Sequence, residues 1–176
     1  AGRGIGREIA LVLAEAGANI VASARTKTEI EVTASEVRAL GRQAIAVTAD
    51  VSNSRDVDRL VDQTLKHFEK IDIMVNNAGQ LNRLAAVPLP NITFDPPIVT
   101  RRSDSRTTDE EWQQIIDTNL NGVFYCCRSV APHMIERRYG KIINISSNNA
   151  TMAFPLVAAY NASKAAVNML TRVLAL

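Results

Sequence analysis

Cysteine is almost missing from this chain: Cys126 and Cys127, side by side in an apolar stretch, are the only two. Adjacent residues do not readily bridge to each other, so a disulfide framework is excluded and a reducing compartment, the cytoplasm, is expected. Long apolar runs are missing too. None approaches the ~20 residues that a membrane-spanning helix needs, and no signal peptide is expected. Concentrated charge is the third absence. Twenty Lys and Arg against eighteen Asp and Glu leave +2, spread along the chain, with no basic block of the kind that marks a nucleic-acid partner. Four Asn-x-Ser/Thr matches begin at Asn91, Asn144, Asn149 and Asn161. They carry little weight, because most fall in segments read as buried or catalytic.

What is present is a steady alternation. With 176 residues, 47% of them hydrophobic, the chain suits one globular domain with a substantial core. Ile5 to Ala16 reads as a helix stopped by Gly17, and Ala18 to Ala24 as a short apolar strand. Thr28 to Leu40 is a helix before Gly41, and Gln43 to Ala49 a strand. A serine-capped helix is expected from about Ser54 to Glu69, with Val57, Leu60, Val61, Leu65 and Phe68 at helical spacing. Ile71 to Val75 and Lys141 to Ile145 are further strands. Thr108 to about Arg137 is a long helix, interrupted near Pro132, whose apolar stripe holds Trp112, Ile115, Ile116, Leu120, Val123 and Phe124. Asn119 lies on that stripe, so it is either a satisfied structural group or a functional one. The pattern predicts an α/β fold, a doubly wound Rossmann-type parallel sheet in a single domain.

Gln80 to Thr107 breaks the alternation. Pro88, Pro90, Pro96 and Pro97 precede the polar run from Arg101 to Arg106, which reads as a long surface loop. A tolerated insertion is favoured over an active-site flap or a partner contact. The chain opens on a glycine turn without a strand before it. It closes on the uncapped apolar run Leu170 to Leu176, as the inner part of a longer enzyme would.

The chemistry concentrates near the end. Tyr160 and Lys164 stand four residues apart, with Ser147 thirteen residues before the tyrosine. In a helix that spacing puts the first two side chains on one face, a turn apart. A free tyrosine has a pKa near ~10, so a cation beside it would make the phenol usable as a general acid or base at neutral pH. A serine hydroxyl can hold a substrate oxygen. At the other end, Gly2, Gly4 and Gly6 run directly into a helix, where a glycine backbone and unpaired N–H groups favour a pyrophosphate. An NAD site of this type carries an acid about 20 residues on, at the end of the second strand. Here that place is Ala24-Arg25. Arg25 cannot accept from a ribose hydroxyl but can bind a 2′-phosphate, with Arg3 in reach of it. The reading is NADP(H) rather than NAD(H).

Together these motifs resemble the short-chain dehydrogenase/reductase family over nearly the whole chain. Gly2-Arg3-Gly4-Ile5-Gly6 is similar to the latter part of the family's Thr-Gly-x-x-x-Gly-x-Gly turn. Asp50-Val51 resembles the pair at the adenine ring, and Asn76-Asn77-Ala78-Gly79 the segment that steadies the sheet beside the cofactor. Thr118-Asn119-Leu120 resembles the segment with the catalytic asparagine. Ile145-Ser146-Ser147 and Tyr160-Asn161-Ala162-Ser163-Lys164 are similar to the catalytic serine and the signature pair.

The resemblance implies a partial NADP-binding Rossmann domain without its first strand, which would lie centrally, and without its C-terminal strands. It implies hydride transfer between NADP(H) and a carbonyl or secondary alcohol. Tyr160 is then the proton donor or acceptor, Ser147 the holder of the substrate oxygen, and Lys164 the group that tunes Tyr160 and binds the nicotinamide ribose. Asn119 holds a water leading from Lys164 to solvent. A small-molecule substrate and a homo-oligomer, dimer or tetramer, are expected, with no metal, nucleic acid or membrane partner. The alternatives are a non-catalytic NADP-binding or oligomer-forming protein, and a sugar-nucleotide epimerase or dehydratase. Asn-Asn-Ala-Gly and the glycine spacing argue against the last. Asn148, Asn149, Met152 and Phe154 are expected to border the substrate pocket without identifying the substrate. A sheet without its centre predicts that the isolated 176-residue chain is marginal or insoluble.

Overall fold

The structure, a computed structural model, describes residues 1–87 and 106–176. The chain divides into two compact units, one of residues 1–78 with 124–145 and the other of residues 79–123 with 146–176.

The first unit holds the strands. Helix α1 (Gly4–Glu15) leads to β1 (Ile20–Ala24), α2 (Lys27–Ala39), β2 (Ala44–Thr48), α3 (Ser54–Phe68) and β3 (Ile73–Asn76). Most of α5 (Gly122–Glu136) and all of β4 (Lys141–Asn144) complete it. β1 pairs in parallel with β2, Ile20 opposite Ala44 and Ala24 opposite Thr48. β3 pairs in parallel with β4, Ile73 opposite Lys141 and Asn76 opposite Asn144. Parallel neighbours need a crossover, and α2 makes the one between β1 and β2. No ladder joins the two pairs among the described residues; β1 and β3, where the resemblance expects a central strand between them, do not pair.

Helical periodicity explains how the pairs are covered. Ala10 and Ala14 of α1 and Ala34 and Val37 of α2 close over Ile20 and Ala44. Ile30, Ala34 and Val37 are wholly buried, and each buried Ile or Val contributes about 1.5–3 kcal/mol. A second cluster packs Val61 and Ile71 with Val130 and Met134. The α3 cap differs from the serine expected: the Asn53 side chain accepts from the Arg55 N–H at 3.0 Å, one residue earlier, because Ser54 is already inside the helix.

The long helix expected from Thr108 to Arg137 is also interrupted elsewhere than predicted. It starts as α4 (Asp109–Ile116), fixed by a capping box between Thr108 and Glu111. A π-helical turn follows at Asp117–Asn121, and α5 then runs through Pro132 without breaking. The proline removes only one donor from the ladder, whereas the extra residue in the π turn changes which face of the chain points inward. Trp112 and Phe124 of the expected buried stripe are each 40% exposed, while Ile115 and Val123 are buried.

The second unit packs α4 and the π turn against α6 (Ala158–Leu174), with Ile115, Asn119, Ser163, Lys164 and Val167 buried. Of the expected 80–107 loop, residues 88–105 lie outside the described residues. Its flanks are tied down: the Leu84 N–H donates to the Leu156 carbonyl at 2.8 Å and the Thr107 N–H to the Ala85 carbonyl at 2.8 Å. Leu156 holds a φ of 63°, a left-handed conformation that costs a bulky residue energy and that this pairing maintains. Among the described residues no helix is long and apolar enough to cross a membrane.

Candidate active site

The glycine turn belongs to the first unit. Gly4 has a φ of 54°, a region open to glycine at little cost, and it starts α1. Arg3 precedes it in extended conformation, no side chain caps the helix, and its first turn holds no acid. The leading N–H groups and the positive helix end are thus left for an anion. The packing leaves no room for side chains at two of the glycines. A Cβ at Gly2 would fall 2.7 Å from Glu29 Cβ, and one at Gly6 would fall 2.7 Å from Asn77 Nδ2. The second contact brings Asn77 of the Asn-Asn-Ala-Gly segment onto the turn, as two separate motifs could not reveal. Ile5 is 66% exposed, and Ala78 and Gly79 are also open to solvent.

Arg25 follows β1 directly, with an exposed guanidinium. Its nearest acid is Asp50, at a loose 3.9 Å. Asp50 is otherwise occupied: its Oδ1 accepts from the Ser52 N–H at 3.0 Å and the Ser52 hydroxyl at 2.6 Å, closing the turn that contains Val51. Asn76 ties β3 to β4, donating from Nδ2 to Asn144 Oδ1 at 2.8 Å, with Cys127 Sγ at 3.6 Å. Both cysteines are free and buried. Burial pushes the Cys126 thiol up to about 12 and raises that of Cys127, so neither has the character of a nucleophile.

The second unit gathers the four residues expected to be catalytic, and α6 carries two of them. Tyr160 and Lys164 lie one turn apart, the Lys164 amine 5.8 Å from the tyrosine ring centre. Lys164 is only 4% exposed, and that loss of water lowers its pKa. Ser147 sits just beyond β4 at the head of the 3₁₀ turn Asn148–Ala150, where its Oγ accepts from the Asn149 N–H at 3.2 Å. Asn119, wholly buried on the π turn, is fully committed. Its Oδ1 accepts from the Gln80 N–H at 2.8 Å, while its Nδ2 donates to the Gln80 carbonyl at 3.0 Å and to Ser163 Oγ at 3.2 Å. Ser163 donates in turn to the Tyr160 carbonyl at 2.8 Å.

Gln80 and Ser163 went unrecognised in the sequence, although Ser163 falls inside the Tyr-x-x-x-Lys segment. So did the partnership of Asn149 with Asn161, at 2.8 Å. Met152 and Phe154 are exposed, at 57% and 41%. Among the described residues no group of His, Cys, Asp and Glu is placed to hold a metal.

The short chain dehydrogenase family model aligns with residues 1–176. The chain belongs to that family. It is 39% identical, over 99% of its length, to a 3-oxoacyl-[acyl-carrier-protein] reductase of Synechocystis sp., and covers 64% of that protein. It is 38% identical to 3beta-hydroxysteroid dehydrogenase 1 of Eggerthella lenta, covering 60% of it. Among solved structures, a gluconate 5-dehydrogenase from Burkholderia cenocepacia in complex with NADP and tartrate superposes with a TM-score of 0.81. That match has 37% identity, over 98% of this chain and 60% of the other. The chain therefore spans less than two thirds of the length of these relatives.

Proposed function

We propose that the protein carrying this chain is an NADP(H)-dependent oxidoreductase that interconverts a carbonyl and a secondary alcohol, with Tyr160 as proton donor and acceptor. The observation that carries the reading is the pair on α6: a lysine only 4% exposed, its amine 5.8 Å from the ring of a half-buried tyrosine. Burying an amine is costly, and this position gives that cost a use.

The residues present fit the cofactor. Gly2, Gly4 and Gly6, with the uncapped start of α1, form an anion-binding turn into which Arg3 and Ile5 are built. Arg25, held only loosely by Asp50, is available for a 2′-phosphate. Asp50 and Val51 are assigned to the adenine, and Asn77, Ala78 and Gly79 to the segment beside the cofactor. Bound NADP(H) supplies or accepts the hydride.

Ser147 donates to the substrate oxygen and stabilises the charge that develops on it. Tyr160 delivers the proton in reduction and removes it in oxidation. Lys164 stabilises the phenolate left behind and binds the nicotinamide ribose. Burial makes its proton easier to lose, which suits a group that relays one. The Asn119 carboxamide is occupied by Gln80 and Ser163, so a water on the path from Lys164 would be held by the Asn119 backbone.

The names of the relatives suggest three substrate classes: 3-oxoacyl thioesters, 3-oxosteroids and oxidised gluconates. The test is transfer of deuteride from 4-labelled NADPH to one of each, using the full-length protein. Label in a product alcohol, at higher rate with NADPH than with NADH, is expected. Tight NADPH binding with no label in any product would refute the reading in favour of a binding protein without catalysis.

A further inference from the structure

Ser147 has one hydroxyl proton and two carbonyl oxygens competing for it, Asn148 Oδ1 at 3.2 Å and Asn149 Oδ1 at 3.3 Å. Which way the second of these points is decided elsewhere. The Phe154 carbonyl can only accept, and Asn161 Nδ2 donates to it at 3.0 Å. That contact turns Asn161 Oδ1 toward Asn149, whose Nδ2 donates to it at 2.8 Å. With its amine so engaged, Asn149 must face Ser147 with its oxygen. One backbone carbonyl thus fixes two carboxamides, and the second gives the serine hydroxyl a direction. Asn161 is also the residue after Tyr160, in the first turn of α6, so the relay runs from the helix of the proton donor to the group that would hold the substrate oxygen.

We propose that Asn149 and Asn161 are positioning residues that aim the Ser147 hydroxyl at the substrate oxygen. This rests on the functional reading above, in which Ser147 makes that contact. A substrate carbonyl then replaces the asparagine oxygen as acceptor without the serine having to search for its rotamer.

The test compares Asn149→Ala, Asn161→Ala and the double variant of the full-length protein, each with and without Ser147→Ala. Turnover is measured with NADPH and a 3-oxoacyl thioester, a 3-oxosteroid and an oxidised gluconate, and NADPH affinity by fluorescence titration. Each asparagine variant is expected to lower kcat about tenfold with NADPH affinity unchanged. The double variant should lose no more than either single one, and neither should cost anything further once Ser147 is alanine. Wild-type turnover in Asn161→Ala beside a crippled Ser147→Ala overturns the relay alone, as does a tenfold loss that persists without Ser147. Undiminished turnover in Ser147→Ala overturns the functional reading instead. Side-chain amide exchange provides a readout without substrate. The Asn149 NH₂ proton that bonds Asn161 should be protected in the wild type and exchange freely in Asn161→Ala. Free exchange already in the wild type contradicts the proposal.

Discussion

Lys164, a residue only 4% exposed, loses hydration on folding, and the loss falls on the charged form alone. The folded chain therefore holds this proton less firmly than the unfolded chain, in which the lysine titrates near its ordinary 10.5. Between the lowered folded value and 10.5 the unfolded state binds more protons, so this residue's contribution to stability rises with pH across that window. Below the window the full cost of burying the charge is present. Lys164→Met removes it. Relative to the wild type, the variant's melting temperature should be highest at neutral pH and should fall progressively as pH approaches 10.5. A gap that stays constant or widens in paired scans from pH 7 to 10 would contradict this account of Lys164. Residues of this kind were legible in the sequence because their relation is covalent spacing: Tyr160 and Lys164 fall on one face of any helix through them. Asn149 and Asn161 were not. They meet because a 3₁₀ turn and a helix start approach one another, and no periodicity records that.

Among the elements, the π turn at Asp117–Asn121 changes the expected picture most. It carries Asn119 inward, where the carboxamide takes the place of a strand neighbour for Gln80, accepting from its N–H and donating to its carbonyl. Asn119→Leu would leave both backbone groups without that partner, at about 1–3 kcal/mol each. A loss of about 2–6 kcal/mol in urea unfolding is therefore expected, whereas a loss under about 0.5 kcal/mol would show that the contacts are dispensable. The strands and helices themselves were readable from apolar spacing and glycine stops to within one to three residues. The π turn was not, because one extra residue barely alters a 3.6-residue repeat summed over thirty positions. Pro132 drew the predicted break because proline usually ends a helix, yet here α5 tolerates one missing bond. Asn53 took the cap from Ser54 for an equally local reason: either side chain can accept, and backbone geometry chose the earlier one.

For the whole molecule, membership of the family rests on motifs that recur in fixed order along all 176 residues, and that order was visible before any coordinates. The substrate was not, since the residues near Ser147 fit many carbonyl compounds and the chain covers 64% or less of the relatives named above. The first unit holds most of the residues proposed to bind the nucleotide and the second those proposed to move the proton, and that proton transfer is proposed to depend on the Tyr160 hydroxyl. The most direct measurement is single-turnover reduction of a substrate by NADPH, with the full-length protein and its Tyr160→Phe variant. Unchanged NADPH affinity and a rate lower by about 10²–10⁴ are expected. A Tyr160→Phe variant that turns over within a fewfold of the wild type would contradict it.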